Sequence, residues 1–213
     1  MAIPQYKDIS NHWNYFLALE DDLAKVSRYI EFTESNYNTY SIELAHLLLA
    51  AASEVDVVLK TLCNEVSPEI SHSGINKYRE TVQSKQSYLI GDYCTLPRYA
   101  LKLKPWEEWD RKNNSNPIWW RAYNRVKHHR DSEFKKANLK NVLNAMAGLA
   151  LANLYLQRRY TRFPKGGLAG HMSYVIAELQ THPSLFQFQR DHYALLASQG
   201  GIKMKLTEIT CKN

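Results

Sequence analysis

Trp119-Trp120-Arg121-Ala122-Tyr123-Asn124-Arg125-Val126-Lys127-His128-His129-Arg130 places arginines, an amide and imidazoles at helical spacing. At about 100° per residue, Arg121, Asn124, Arg125 and His128 share one narrow sector, while Trp119, Ala122, Tyr123 and Val126 occupy the other side. A helix anchored by the second set would present the first together. Arginine keeps its charge and forks onto phosphate oxygens. A neutral histidine can take a proton from a ribose 2′-hydroxyl or, as imidazolium, protonate a leaving oxygen. Asn124 could orient either group. The chemistry that suits these residues is metal-free phosphoryl transfer on RNA, weighed against the ordinary alternative that the stripe is only the wet face of an amphipathic helix.

Other chemistries lack their motifs. The glycine pairs Gly166-Gly167 and Gly200-Gly201 have neither the lysine nor the strand-to-helix setting of a phosphate loop. The histidines form no HExxH or HxxxH pair, the cysteines no CxxC, and there is no GxSxG elbow. No metal site and no cofactor are expected.

Charge points to the same partner class. Lys and Arg number 27 against 21 Asp and Glu, and the excess concentrates between Arg121 and Lys140, where Arg121, Arg125, Lys127, Arg130, Lys135, Lys136 and Lys140 face only Asp131 and Glu133. A local basic zone favours a polyanion, nucleic acid first and anionic membrane second, with a merely solvated face as the more ordinary reading of charge alone. Cys63, Cys94 and Cys211 are odd in number, and the start MAIPQYKDIS lacks an apolar leader core, so a reducing cytoplasmic compartment is expected. The apolar runs 47–52 and 145–156 are too short to span a bilayer of about 30 Å, so no membrane insertion is expected.

The elements that must position the stripe are helices. Trp13, Phe16, Leu17, Leu23, Val26 and Ile30 recur at three- and four-residue steps, predicting a first helix from Ser10 to about Phe32, and the run Thr33 to Thr39 offers caps for the next. Ile42 to Cys63 has no Gly or Pro and is apolar nearly all round, predicting a buried helix. In it His46 reads as a satisfied core histidine, Glu54 as an interhelical contact or a partner of the basic site, and Asp56 with Lys60 as a supporting ion pair. Ile75 to Gln86 predicts a short polar helix. Tyr88 to Asp110 reads as an irregular aromatic excursion with one short alternating strand at Tyr99 to Leu103, its tryptophans plugging a core rather than stacking on bases. Asn116-Pro117 is a helix start with asparagine as the cap. An interruption at Asp131-Ser132 should separate the stripe helix from a second buried helix, Asn138 to Tyr160, whose Ala145, Ala147, Gly148 and Ala152 allow close packing on 42–63. Helices at Met172 to Thr181 and Phe186 to Ala197 are expected in the tail.

The buried run LLLAAASEVDVVLKTLC, the segment PIWWRAYNRVKHHR and the run ANLKNVLNAMAGLALANLYL, covering roughly 40–160, resemble the HEPN superfamily of small helical-bundle proteins. Many HEPN proteins are metal-independent endoribonucleases of toxin-antitoxin, abortive-infection and other defence systems. Their motif is an arginine followed after four to six residues by a histidine. Arg121 and His128 meet it at the widest spacing, Asn124 keeps the usual distance of a polar residue before the histidine, and Tyr123 stands where arginine often would.

The resemblance implies an all-α, up-and-down bundle of about five main helices over 1–162, with the aromatic excursion and a C-terminal extension, 163–213, packed on the bundle or on a second subunit. It implies a ribonuclease acting on single-stranded RNA, with His128 as acid/base, Arg121 as transition-state stabiliser and Asn124 as positioning residue. Arg125, Lys127 and Arg130 would be phosphate ligands, and Glu54 a supporting partner. It further implies a homodimer with the two stripes facing each other, and an antitoxin or defence partner. The alternative is a noncatalytic RNA- or nucleotide-binding module or a dimeric scaffold, which Tyr123 favours.

Overall fold

The computed structural model describes residues 6–110, 112–113, 115–159 and 183–189, with side chains from residue 11 onward. Seven α-helices account for most of these described residues. They are α1 (Tyr6–Val26), α2 (Ile42–Val66), α3 (Ile75–Lys85), the one-turn α4 (Tyr88–Gly91), α5 (Ile118–His128), the one-turn α6 (Arg130–Glu133) and α7 (Leu139–Arg158). None is long and apolar enough to cross a membrane.

The centre of the molecule is the pair α2 and α7, which make the most extensive helix–helix contact. Each burial pattern explains why. Leu48 and Val55 of α2 and Leu143, Met146 and Leu149 of α7 are fully buried, as the all-round apolar patterns predict. Both helices start at side-chain caps: the Ser41 hydroxyl accepts the Leu44 N–H at 3.1 Å and the Asn138 carbonyl accepts the Asn141 N–H at 3.1 Å. The first of these lies outside the 33–39 run expected to supply it. Helix α1 ends six residues before the predicted Phe32, and its Trp13, Phe16 and Leu23 close one side of the α2/α7 pair.

Two polar expectations within α2 are corrected. His46 is exposed, 61% at the side chain, beside Glu43 at 3.9 Å, so it is no core histidine. Its neighbours Leu44, Ala45, Leu47 and Leu48 complete the buried stripe without it. Asp56 faces the Tyr78 hydroxyl of α3, where burial first and the carboxylate second push the phenol up to about 12.

The excursion is more regular than its sequence suggests. Cys94–Leu96 (β1) and Leu101–Leu103 (β2) form an antiparallel hairpin in the register Leu96↔Leu101, and Tyr99 and Ala100 belong to its turn, Ala100 in the left-handed region at φ 52°. Strands of three residues are too short to show a clear alternation. A third strand, β3 (Gln187–Phe188), pairs with β1 on the other edge, giving the order β2-β1-β3. The helix expected from Phe186 is therefore a strand where it is described, and the remainder of the 163–213 extension, with the helix expected at 172–181, lies outside the described residues.

Residues 183–189 are fastened to the helices by a buried carboxylate. Glu20 of α1, 1% exposed, accepts the peptide N–H groups of Ser184 at 2.7 Å, Leu185 at 2.9 Å and Phe186 at 3.0 Å. Charge-assisted bonds of this kind compensate the cost of burying a carboxylate. Phe186 and Phe188 then pack on Phe16 and Trp13.

The tryptophans fill the open side of the core. Trp106, Trp109 and Trp119 are buried, with Trp106 4.4 Å from Trp109 and 5.2 Å from Trp119 between ring centroids. They are unavailable to bases. Gly148 of α7 lies under them: a β-carbon there would sit 3.0 Å from Cζ2 of Trp119 and 3.3 Å from Cζ2 of Trp106. Gly148→Ala should gain about 1 kcal/mol in helix propensity but lose about 1–3 kcal/mol to overpacking against rigid rings. A net loss of stability is expected, read as a lower urea midpoint at unchanged slope; a raised midpoint would show that the rings do not depend on that space.

Candidate functional site

Helix α5 begins where the aromatic excursion ends. Pro117 is its first flanking residue, and the cap comes from outside: Glu108 Oε1 accepts the Ile118 N–H at 3.2 Å. Asn116, expected as the cap, is otherwise engaged, accepting from Arg79 at 3.3 Å and donating to Asn76 Oδ1 at 3.0 Å, both on α3. The helix ends at His129, whose φ of −141° and ψ of 48° leave the helical region, two residues before the expected break.

Between these ends the apolar face is buried as Trp119, Trp120, Ala122, Tyr123 and Val126, packed across α2 and α7. Trp119 also donates its Nε1–H to the Pro105 carbonyl at 2.8 Å, fixing the rotation of the helix. Rotation settles what faces out. Arg121, Arg125 and His128 are exposed, Asn124 is half-buried, and all four line one open depression of ≈ 430 Å³. Ile75 of α3, Asn116, Trp120 and His129 complete its lining. His129 was read in sequence only as part of the basic run, and Asn116 only as a cap; Ile75 and Trp120 carried no polar signal.

Within the depression Asn124 donates its Nδ2–H to the Trp120 carbonyl one turn back, at 3.1 Å, which leaves Oδ1 as the acceptor it can offer. Arg125 lies 3.8 Å from Glu133, and Glu133 lies 3.4 Å from Lys136, so one carboxylate sits between two cations. With the Arg125 side chain 62% exposed, this pair holds it only weakly.

Three residues assigned by sequence fall elsewhere. Lys127 reaches over the buried Tyr123, its ammonium 3.3 Å from the phenol oxygen and 5.4 Å from the ring centroid. Arg130 is exposed on α6, beyond the break, and does not line the depression. Glu54 pairs with His12 of α1, Oε1 to Nδ1 at 2.5 Å, so its partner is the α1 helix and not the basic stripe. Its interhelical reading is the one the structure shows.

The buried thiols offer no competing chemistry. Burial pushes Cys63 up to about 12 and Cys94 well above its ordinary range, so neither is a thiolate at neutral pH.

What the depression can do is bind a phosphate and move a proton. Arg121 and Arg125 supply forked guanidinium donors, and His128 and His129 supply imidazoles.

No family model, curated protein or solved structure matches the chain.

Replacing Glu133 by Gln removes the carboxylate shared by Arg125 and Lys136 and frees both for an anion. Glu133→Gln should elute from a phosphocellulose column at higher salt than the parent, in line with a stronger local field. Elution at equal or lower salt would show that the basic zone does not act as one surface.

Proposed function

We propose that the protein is a metal-independent endoribonuclease of HEPN type, a toxin or defence component working in the cytoplasm, with its chemistry on the α5 stripe. The observation that carries the reading is that Arg121, Asn124, Arg125 and His128 line one open depression. His128 takes the proton from a ribose 2′-hydroxyl, the 2′-oxygen attacks phosphorus, and the P–O5′ bond breaks as the His128 imidazolium so formed gives that proton to the leaving oxygen. The products are a 2′,3′-cyclic phosphate and a 5′-hydroxyl. Arg121 stabilises the charge that grows on the phosphoryl oxygens, Arg125 assists as phosphate ligand, and Oδ1 of Asn124 orients the attacking hydroxyl.

Arg121 and His128 are seven residues apart, about 10 Å along the helix. A homodimer whose α5 helices face each other antiparallel across a two-fold axis would set Arg121 opposite His128 of the partner subunit and shorten that gap. This is the assembly we propose.

A noncatalytic RNA-binding module is the second reading, favoured by one observation. Tyr123 is buried with its hydroxyl beside Lys127, so the position where related nucleases often carry a second arginine holds no cation that can reach substrate.

Purified protein is expected to cut single-stranded RNA in EDTA, to leave DNA of the same sequence intact for want of the 2′-hydroxyl, and to lose about 10²-fold or more in rate in His128→Ala and Arg121→Ala. Within one chain both side chains are exposed, so each variant should keep the parent's helix content, and sedimentation of each variant separates lost chemistry from a lost dimer. Sedimentation at micromolar concentration should show a dimer. Cleavage that survives both substitutions would remove the site assignment; binding without cleavage would decide for the second reading.

A further inference from the structure

We propose that Tyr40 and Phe134 form a base-stacking platform for single-stranded RNA, placed where a strand leaves the α5 depression. The inference rests on the RNA reading of that depression and extends it to a second, separate surface.

Tyr40 precedes α2 and is 51% exposed. Its backbone bridges Asn138 at the start of α7, and its ring lies 5.7 Å from that of Phe134 at an interplanar angle of 85°. The Phe134 edge-to-face contact steadies the Tyr40 ring while half of its surface stays open. Ile42, 63% exposed, continues the apolar ridge.

Cations follow the rings closely in the chain. Phe134 begins the one-turn 3-10 helix Phe134–Lys136, so Lys135 and Lys136 flank it, and Lys140 lies two residues beyond the Asn138 bridge with its ammonium 5.9 Å from the Tyr37 ring. Carboxylates on this side include Glu133, lying between Arg125 and Lys136, Glu43, beside His46, the exposed Asp131, and Glu34, near enough to Tyr37 to raise its phenol after burial does.

The link to the depression is physical: Arg125 lines it, Glu133 contacts Arg125, and Lys136 contacts Glu133 on the platform side. A strand with one phosphate at Arg121 and Arg125 can follow these cations and lay a base on Tyr40. Exposed aromatics alternating with cations are the pattern that single strands use, the rings taking bases and the cations taking phosphates. A protein partner fits less well, because the centres of protein interfaces are poor in lysine.

The test uses a fluorescein-labelled, 2′-O-methylated 12-nucleotide RNA, which lacks the attacking hydroxyl, and the duplex of the same sequence. Fluorescence anisotropy should show Tyr40→Ala raising the single-strand Kd about fivefold or more, Tyr40→Phe close to the parent, and duplex affinity unchanged in both. Thermal melting checks the fold; should Tyr40→Ala melt early, Lys140→Glu, an exposed change, is expected to weaken single-strand binding in its place. Equal single-strand affinity in parent and a folded platform variant overturns the platform while leaving the α5 site standing. An altered sedimentation coefficient in Tyr40→Ala overturns it too, since the ridge would then be a protein contact. A parent that binds neither RNA overturns both readings, whereas platform-dependent binding without cleavage of ordinary RNA keeps the platform and removes the nuclease.

Discussion

Burial of one face of α5 governs the rest of the molecule. Trp119, Ala122, Tyr123 and Val126 cannot be wetted without losing roughly 1.5–3 kcal/mol for each large side chain, and they fit only against α2 and α7. Trp119 reaches α7 because Gly148 has no side chain, and the Nε1–H bond to Pro105 selects one rotation of the helix. Once that rotation is set, Arg121, Asn124, Arg125 and His128 have no choice of direction. The aromatic excursion thus serves the site indirectly: its Trp106, backed by Trp109, is the wall on which Trp119 rests.

The same geometry separates folding from chemistry. The depression lies on the side of α5 away from the α2/α7 core, and its charged members are exposed. Neither histidine nor arginine of the stripe is required to pack. The buried polar groups lie elsewhere and hold structure: Glu20 gathers three peptide donors of 184–186, and Asp92 accepts the Tyr155 hydroxyl at 2.8 Å. Burial and that carboxylate push the Tyr155 phenol far above its ordinary range, so it stays a neutral donor.

The central helices and the stripe were legible in the sequence because both depend on periodicity. Runs 42–63 and 138–160 are apolar nearly all round, and only a helix buried on most sides tolerates that, so α2 and α7 lie within a few residues of the expected bounds. The wheel that grouped Arg121, Asn124, Arg125 and His128 depended on the same period. What failed depended on distant partners. Glu54 and His12 are 42 residues apart in the chain, and Glu20 and Ser184 are 164 apart, so no local pattern announces either contact. The cap of α5 was misread for the same reason, since Glu108 reaches it from the preceding turn while Asn116 is drawn to α3. His46 departs from expectation because the face of α2 that packs is completed by Leu44, Ala45, Leu47 and Leu48, which leaves position 46 in solvent despite its apolar neighbours. The homodimer, the nuclease chemistry and the defence role rest on resemblance together with the stripe, and belong to the proposal.

The central claim is that one face of α5 meets the substrate phosphate. Imidazole resonances report it without depending on turnover. In protein labelled with 15N-histidine, titration with the 2′-O-methylated RNA should move the ring signals of His128 and His129, which line the depression, and leave those of His12, tied to Glu54, and the buried His72 in place. Unmoved His128 and His129 signals at saturating RNA would contradict the account.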